Sequence, residues 1–289
     1  MSCDTFPPPR GPVVVVGAGT MGHGIAHVSA VAGFETRLFD VDAAARARGL
    51  ALIEANLDRG VELGKVEPAA RNAALDLLSE TGDPAEAGAG AELVIEAVPE
   101  DLDLKRRVLA EFAAHVGTEA ILGSNTSSLS ISRIGEGVPG PERLVGLHFF
   151  NPVHIMALVE VVRGDRTAER VVERARSFVE AVGKEPIVVN DSPGFASSRL
   201  GVAIGLEAIR MLESGVASAH DIDRAMELGY RHPMGPLRLT DLVGLDVRLR
   251  IARYLHSELG ERFRPPALLE RMVEEGKLGR KTGQGFYSW

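Results

Sequence analysis

The sequence predicts an α/β chain in which a doubly wound, mostly parallel sheet is followed by a smaller all-helical domain. Short runs of apolar and β-branched residues alternate with helical periods as far as residue 189, which is typical of parallel strands joined by helices. A glycine-rich turn follows the first of these runs. Beyond a turn cluster at residues 190–194 only helical periods remain. We therefore expect a sheet domain over residues 1–190 and a helical domain over residues 191–289.

The composition is that of an ordinary globular protein. Its 289 residues are 45% apolar and 25% charged, and the net charge of -8 argues against a general attraction for nucleic acid or an anionic membrane surface. No apolar run approaches the roughly 18 residues of a membrane-spanning helix, and the first residues lack the apolar segment of a secretion signal. The one cysteine, Cys3, excludes an internal disulfide and fits a reducing compartment such as the cytoplasm. We predict no metal site and no nucleic acid or membrane partner.

The first organised element is a strand, turn and helix over residues 12–33. The β-branched run 13–16 leads directly into Gly17, Ala18, Gly19, Thr20, Met21 and Gly22. In a GxGxxG turn the first glycine permits the tight turn, the second lets the backbone approach a pyrophosphate, and the third allows the helix to pack closely on the strand. The N–H groups at the start of that helix can hold the pyrophosphate. We predict a dinucleotide site of the Rossmann type here.

Asp40 indicates which dinucleotide binds. It ends a second predicted strand at residues 35–39 and follows the glycine turn by about 20 residues, where an acid can bind the adenosine ribose hydroxyls. A 2′-phosphate would meet a like charge at Asp40. The sequence therefore predicts NAD rather than NADP, and it carries no second signature for a flavin.

Residues 43–79 have a helical pattern that carries four cations, Arg46, Arg48, Arg59 and Lys65. Two interpretations stay open. The cations can belong to solvated helix faces, or they can form a landing surface for a phosphorylated carrier.

Two further predicted strands end in polar residues. The strand at 93–98 leads to Pro99, which we expect to begin a helix with Glu100 and Asp101 in its first turn. Those acids can complement the helix dipole, or Glu100 and Lys105 can touch the cofactor, since ligands bind at the carboxyl ends of parallel strands. The strand at 120–123 leads into the polar cluster at 124–128, where we expect Ser128 to cap a helix and Ser127 to face substrate.

His148 and Glu160 are the candidate proton-transfer pair. They lie in two predicted strands, residues 145–149 and 158–162, that are separated by a short loop. A carboxylate that accepts from one imidazole nitrogen fixes the tautomer and leaves the other nitrogen to take or give a proton. The alternative is that His148 is a satisfied core histidine and Glu160 a lone edge carboxylate.

The pattern of the remaining residues predicts a helix at 167–182, a strand at 186–189 and only helices after that strand. Apolar faces that include Leu200, Ile204 and Met211 can cover the cleft of the sheet domain or a partner subunit. The predicted C-terminal helices span residues 195–214, 218–228, 241–259 and 265–275.

The chain resembles the L-3-hydroxyacyl-CoA dehydrogenase family, and within it the bacterial 3-hydroxybutyryl-CoA dehydrogenase branch. The resemblance covers nearly the whole chain, and the motifs occur in the family's order. The matching segments are GAGTMG at 17–22, SNTSS at 124–128, HFFNPV at 148–153, LVEVV at 158–162, DSPGF at 191–195, HPMGPLRLTDLVGLD at 232–246 and GRKTGQGFY at 279–287.

The resemblance implies roles for individual residues. His148 is then the catalytic acid/base, Glu160 orients it, and Ser127 lies beside the substrate oxygen and the nicotinamide. The family also implies a homodimer built through the helical domain. The residues that the resemblance places at the NAD site, beyond the glycine turn, are Asp40, Glu100, Lys105, Ser127, Asn151 and Lys281.

Three positions depart from the family pattern. Ser198 stands where the family often has an asparagine that contacts the substrate near the reacting carbon. Asn56 occupies the position of a serine that contacts coenzyme A, and Leu63 that of a lysine, with Lys65 nearby. The predicted substrate contacts are therefore Ser127, Ser198, Asn56 and Lys65.

The expected activity is NAD-dependent oxidation of a short-chain L-3-hydroxyacyl-CoA to the 3-ketoacyl-CoA, or the reverse, within fatty acid metabolism. One alternative is a dehydrogenase of a free 3-hydroxy acid, of the gulonate or carnitine type. Another is a catalytically silent, NAD-binding structural relative. The presence of His148, Glu160 and Ser127 argues against a silent protein.

Overall fold

Eight strands form one sheet in the first of two units of the chain. The computed structural model describes residues 7–289, so Cys3 lies outside the described residues. The units divide between Ser192 and Pro193. The strands are β1 (Val13–Val16), β2 (Thr36–Phe39), β3 (Leu78–Thr81), β4 (Leu93–Glu96), β5 (Ile121–Ser124), β6 (Leu144–Phe149), β7 (Leu158–Arg163) and β8 (Glu185–Asn190).

Helices connect the strands in the first unit and make up the second. The helices of the first unit are α1 (Thr20–Val31), α2 (Ala43–Glu62), α3 (Pro68–Asp76), α4 (Pro84–Gly88), α5 (Leu102–His115), α6 (Ile131–Gly135) and α7 (Glu169–Ala181). Those of the second are α8 (Ser197–Glu213), α9 (Ala219–Tyr230), α10 (Pro236–Val243), α11 (Leu245–Leu259) and α12 (Ala267–Glu274).

The sheet has the order β3-β2-β1-β4-β5-β6-β7-β8. The strands from β3 to β6 are parallel, β7 is antiparallel to β6, and β8 is parallel to β7. After β1 the chain proceeds toward β3, and it then returns to β4 on the other side of β1. The connections after β1 and β4 therefore diverge at the carboxyl edge, which leaves a crevice where open α/β sheets bind ligands.

The core of the first unit consists of apolar residues from the strands and from the helices that pack on them. All four residues of β1 are buried, as expected of a central parallel strand. On α7 the residues Val171, Val172, Ala175, Phe178 and Val179 are buried at helical spacing and belong to the same apolar cluster as the strands. The predicted fold class, a mostly parallel doubly wound sheet followed by a helical domain, is confirmed.

Three local predictions were wrong. The helical pattern of residues 43–79 ends early, because the chain turns into the edge strand β3 at Leu78. The helix expected from Pro99 begins at Leu102, since the side chain of Asp101 caps it by accepting from the N–H of Leu104 at 2.7 Å. The expected cap at Ser128 is made instead by Ser130, which accepts from the N–H of Arg133.

The second unit has its own apolar core, formed by residues such as Val202, Leu206 and Leu245. The single helix predicted over residues 241–259 is in fact two helices. Gly244 adopts a φ of 98° between α10 and α11, a conformation that breaks the helix. Within residues 7–289 no helix is both long and apolar enough to cross a bilayer.

Candidate active site

The glycine turn between β1 and α1 is built to receive an anion. Gly17 adopts a φ of 102°, and a Cβ at Gly22 would lie 1.6 Å from the carbonyl oxygen of Gly17, so both positions require glycine. A Cβ at Gly19 would meet nothing within 4 Å, which leaves open space in front of the helix. No side chain caps α1, and its first turn has no acidic residue. The free N–H groups and the helix dipole can therefore hold a pyrophosphate.

Asp40 lies beside this turn at the end of β2. Its Oδ2 accepts from the N–H of Ala18 at 2.8 Å, and its Oδ1 accepts from the N–H of Asp42 at 3.0 Å. Each carboxylate oxygen can accept further hydrogen bonds, as ribose hydroxyls would require.

A cavity of about 560 Å³ opens between the turn and α5. Asp40 and the glycines supply its polar side, and most of its other walls are apolar. That combination suits an adenosine, whose ribose is polar and whose base has apolar faces. The residues that line the cavity include Gly17, Gly19, Thr20, Met21, Asp40, Val41, Ala97, Pro99, Leu104 and Val108.

His148 and Glu160 meet across β6 and β7, where the antiparallel register places them directly opposite each other. Nδ1 of His148 lies 2.7 Å from Oε2 of Glu160. Both residues are buried, and Glu160 has no exposed surface. The carboxylate accepts the Nδ1 proton, so Nε2 is the nitrogen that remains to exchange a proton with a ligand. The satisfied hydrogen bond is also compatible with the alternative of a core histidine; the position at the carboxyl edge of the sheet favours a site.

Asn125 joins the polar loop after β5 to this pair. Its Oδ1 accepts from the N–H of Phe149 at 2.9 Å, and the residue is 9% exposed. The sequence alone does not indicate Asn125, because its partner is 24 residues away in the chain. This hydrogen bond sets the distance between the loop that carries Ser127 and the end of the strand that carries His148.

Glu100 holds the same loop from the other side. Its Oε1 accepts from the N–H groups of Ser127 at 3.0 Å and Ser128 at 3.2 Å, and from the hydroxyl of Thr126 at 2.7 Å. The Ser127 hydroxyl also lies 3.3 Å from this oxygen. Burial raises the pKa of Glu100, but Lys105 and these hydrogen bonds outweigh it and leave the pKa lowered. Glu100 is thus an ionised anchor for the serine loop rather than an acid in the first turn of a helix.

Lys105 lies beneath Glu100 in a buried charge cluster. Its Nζ lies 3.0 Å from both carboxylate oxygens of Glu96, 3.2 Å from the Val98 carbonyl and 3.3 Å from Glu100. Lys105 is 1% exposed. Burial raises the pKa of Glu96, while Lys105 and the hydroxyl of Ser124 oppose that shift. The ammonium protons of Lys105 are engaged by protein groups, which places this residue in support of Glu100. Glu96 was not predicted, because its partners come from three separate segments.

A second cavity, of about 800 Å³, lies between α1, α2 and the end of α7. It is lined by the predicted carrier contacts Asn56 and Lys65, and by Arg59. His154 and Lys184 add basic groups to its wall. Cations around a cavity of this size can bind the phosphates of a large carrier.

The four basic residues of α2 and of the turn after it do not line one common surface. Arg46 pairs with Glu80 and donates to the Asp40 carbonyl at 2.7 Å, and Arg48 lies 3.5 Å from Asp42. Neither lines the larger cavity, whereas Arg59 and Lys65 do. Of the four cations that could form a landing surface for a phosphorylated carrier, only Arg59 and Lys65 therefore lie at this cavity.

The remaining predicted residues occupy separate places. Asn151 is exposed and precedes Pro152 through a cis peptide bond. In the second unit Ser198 is half-buried in the first turn of α8, and the ammonium of Lys281 lies 2.6 Å from Asp246. Their assignment to substrate and cofactor stays a prediction.

Each of the two units matches the model of a known protein family. Residues 12–192 match the model of the 3-hydroxyacyl-CoA dehydrogenase NAD binding domain, and residues 194–289 match that of the 3-hydroxyacyl-CoA dehydrogenase C-terminal domain.

Individual relatives match over the same length. The chain is 43% identical over 278 residues to a 3-hydroxybutyryl-CoA dehydrogenase of Bradyrhizobium diazoefficiens, which covers 96% of this chain and 94% of the relative. It is 45% identical over 280 residues to a 3-hydroxybutyryl-CoA dehydrogenase of Mycobacterium tuberculosis, with 96% and 98% covered. The crystal structure of (S)-3-hydroxybutyryl-CoA dehydrogenase from Ralstonia eutropha superposes with a TM-score of 0.92 at 39% identity, again with 96% and 98% covered.

The charge cluster beneath the serine loop generates a stability prediction. Lys105→Met leaves the Glu96 carboxylate buried without its cation, so Glu96 must either take up a proton or stay charged and unpaired. We expect the free energy of unfolding to fall by about 3–5 kcal/mol. The double variant Glu96→Gln with Lys105→Met should recover much of that loss, because neither charge is then buried. Urea denaturation at neutral pH measures both changes.

Lys65→Met is the matched control, since Lys65 is exposed and should change the stability by less than about 0.5 kcal/mol. A Lys105→Met variant no less stable than this control would show that the cluster does not depend on its buried charge.

Proposed function

The chain belongs to the 3-hydroxyacyl-CoA dehydrogenase family, and we propose that it interconverts a short-chain L-3-hydroxyacyl-CoA and the 3-ketoacyl-CoA with NAD. The short-chain assignment, toward 3-hydroxybutyryl-CoA, follows the relatives that share its full length. The observation that carries the proposal is the buried His148–Glu160 pair at the carboxyl edge of a sheet whose glycine turn can receive a dinucleotide.

Proton transfer is assigned to His148. With Nδ1 held by Glu160, Nε2 is the nitrogen that takes the proton of the substrate hydroxyl during oxidation. The same nitrogen returns the proton to the carbonyl oxygen during reduction. NAD, when bound, supplies the acceptor for the hydride that leaves the same carbon. Glu160 stabilises the imidazolium that forms and keeps the ring in one orientation.

Ser127 and Ser198 are assigned to the substrate. In this proposal the Ser127 hydroxyl lies beside the substrate oxygen, and its loop is positioned by Glu100 and Asn125. Ser198 takes the place of the family's asparagine near the reacting carbon. The NAD site comprises the glycine turn, Asp40 and, by family resemblance, Asn151 and Lys281. Glu100 and Lys105 contribute to it through the loop that they hold.

The carrier is assigned to the cavity of about 800 Å³. Arg59 and Lys65 are the cations placed to meet phosphates, and Asn56 is a neutral hydrogen-bonding group beside them. Leu63, which replaces the family's lysine, supplies apolar surface to the same wall.

The assembly and the compartment are also proposals. Leu200 and Ile204 on α8 are exposed to 63% and 38%, and such an apolar helix face favours a homodimer through the second unit. Sedimentation velocity would measure it. We place the enzyme in the cytoplasm, and fractionation of cells that express it would test this.

A spectrophotometric assay at the NADH band tests the overall proposal. Acetoacetyl-CoA should be reduced, and free acetoacetate at the same concentration should not. Turnover of the free acid alone would favour a dehydrogenase of free 3-hydroxy acids, and turnover of neither compound would favour a silent NAD-binding protein.

Cofactor choice should depend on Asp40. The unmodified enzyme should strongly prefer NAD(H) to NADP(H), because the carboxylate accepts from ribose hydroxyls and repels a 2′-phosphate. Asp40→Ala should raise the KM for NAD by about 10- to 100-fold, as expected for lost hydrogen bonds to a charged group, and should relax the preference. Steady-state kinetics with both cofactors measure this. Equal kcat/KM for the two cofactors in the unmodified enzyme would contradict the assignment.

Carrier binding should depend on Arg59 and Lys65. Arg59→Met or Lys65→Met should raise the KM for acetoacetyl-CoA by roughly 3- to 10-fold and leave the KM for NADH unchanged, and the effect should shrink at high salt. Arg48→Met is the matched control, because Arg48 is an equally exposed cation of α2 that does not line the cavity. If all three variants behave alike, Arg59 and Lys65 belong to a solvated helix face.

Catalysis should show the proton requirement of His148. Oxidation needs the neutral ring and reduction needs the imidazolium, so kcat for oxidation should rise with pH and kcat for reduction should fall. Glu160→Gln removes the charge that favours the imidazolium. It should therefore slow both directions.

His148→Gln should lower kcat by about 10²- to 10⁴-fold, with little change in NAD binding, because the cofactor's main contacts are elsewhere. Single-turnover kinetics and a fluorescence titration with NADH measure the two effects. Near-full kcat where chemistry limits the rate would rule out His148, and Ser124, Ser127 and His154 would become the candidates.

A further inference from the structure

The cavity of about 800 Å³ in the first unit has a basic wall in an acidic protein. The chain has a net charge of -8, yet none of the residues between 7 and 289 that line this cavity is acidic. Glu62 pairs with Arg59 at 2.7 Å but lies outside the lining. A wall whose ionisable groups are all basic favours an anionic ligand. Those groups are Arg59, Lys65, Lys184, His27 and His154.

Two of these groups, His27 on α1 and His154 in the loop between β6 and β7, stack on each other. Their ring centroids are 5.6 Å apart, and the ring planes differ by 28°. Gly24 lets the helix approach the loop closely, since a Cβ there would lie 2.8 Å from the side chain of Val153. His154 is exposed, whereas His27 is 7% exposed. A ligand in the cavity can therefore reach the ring of His154 more easily.

His27 is held in this position with no hydrogen bond to its Nδ1. This nitrogen has almost no accessible surface and no partner among residues 7–289. Burial lowers the pKa of His27 to about 4, and His154, His23 and Lys184 add to the effect. His27 is therefore neutral near neutral pH, and His154 lies on an uncharged ring.

His154 is neutral near neutral pH unless an anion lies beside it. Burial lowers its pKa, and Lys184 and His23 lower it further. Burial likewise lowers the pKa of Lys184, and no carboxylate of residues 7–289 offsets that effect. The other charged groups of the wall, Arg59 on α2 and Lys65 after it, are cations too. A phosphate would supply the negative charge that stabilises the charged forms of His154 and Lys184.

We propose that His154 and Lys184 bind a phosphate of coenzyme A, and that His154 takes up a proton from solvent as the phosphate binds. The inference rests on the proposed function, because coenzyme A is the carrier only if this chain is the dehydrogenase. The imidazolium and the ammonium each donate a charge-assisted hydrogen bond to phosphate oxygens. His27 is a positioning residue that holds the ring of His154 at the wall. The proton returns to solvent when the carrier leaves.

The direction of the pH dependence follows from these charges. The pKa of His154 is lowered in the free enzyme, and a phosphate dianion beside the ring raises it. Between these two pKa values, binding takes up a proton. The affinity for coenzyme A is therefore highest below this window and falls as the pH rises through it, by at most about 10-fold per pH unit.

Isothermal titration calorimetry in two buffers of different ionisation enthalpy counts the protons taken up. Coenzyme A is titrated into enzyme saturated with NAD, so that its adenosine cannot enter the dinucleotide cavity. At about pH 7.5 a phosphate monoester is almost fully ionised and contributes little. We expect an uptake of about 0.3 to 1 proton in the unmodified enzyme and close to none in His154→Gln. His115→Gln, which changes an exposed histidine of α5 outside this cavity, is the matched control and should keep the full uptake.

Titrations at two pH values separate proton uptake from a structural role of His154. The Kd for coenzyme A should rise about 3- to 10-fold between about pH 7 and about pH 8.5 in the unmodified enzyme, and by less than about 2-fold in His154→Gln. If His154 only shaped the cavity, the variant would bind more weakly by the same factor at both pH values. Lys184→Met should raise the Kd by about 3- to 10-fold, as expected for a half-buried cation.

Three results would overturn the inference. The unmodified enzyme binds coenzyme A without proton uptake, or His154→Gln keeps the uptake, or Lys184→Met binds as tightly as the unmodified enzyme. The first result is decisive even when a variant does not fold. Reduction of acetoacetyl-CoA would still support the proposed function in each case. If the enzyme neither binds coenzyme A nor reduces acetoacetyl-CoA, the proposed function fails and takes this inference with it.

Discussion

The register between β6 and β7 is the constraint on which the candidate site depends. Side chains alternate between the two faces of a strand, so a slip of one residue would turn His148 and Glu160 to opposite sides of the sheet. The packing of β7 opposes such a slip, because Glu160 would move onto the face of Val159 and Val161, where it would be buried in the apolar core. The packing of the sheet thus holds a hydrogen bond of 2.7 Å in a place where neither group reaches water freely.

The loops at the carboxyl edge depend on charges that lie deeper in the sheet. Ser127 is held by Glu100, and Glu100 shares the ammonium of Lys105 with Glu96 at the end of β4. The loop that carries Ser127 is therefore tied to a buried ion cluster. Because an unpaired charge is so unfavourable in that setting, the cluster restricts the loop to few positions, and a preorganised site needs such restriction.

Local sequence patterns predicted those parts of the structure that depend on interactions between residues close together in the chain. The glycine turn, Asp40 at the end of β2 and the His148–Glu160 pair all follow from strand and turn signals within a few residues. The sequence did not indicate Asn125 or Glu96 as important, since Asn125 accepts from a residue 24 positions away and Glu96 meets side chains from α5 and β5. The edge strand β3 was missed because its partly exposed residues lack the apolar signal of a central strand. Likewise, Arg46 and Arg59 lie on the same helix but have different surroundings, which only the packed structure reveals.

The two units use buried charge differently. In the sheet unit Glu96 and Glu100 share the ammonium of Lys105, and Glu160 orients the imidazole of His148. In the helical unit Arg248 lies against two glycines of α8, and its buried Nε has no hydrogen-bond partner among residues 7–289. A folded chain keeps such a group only if something else stabilises the fold enough to offset it, or if a bound molecule completes the pair.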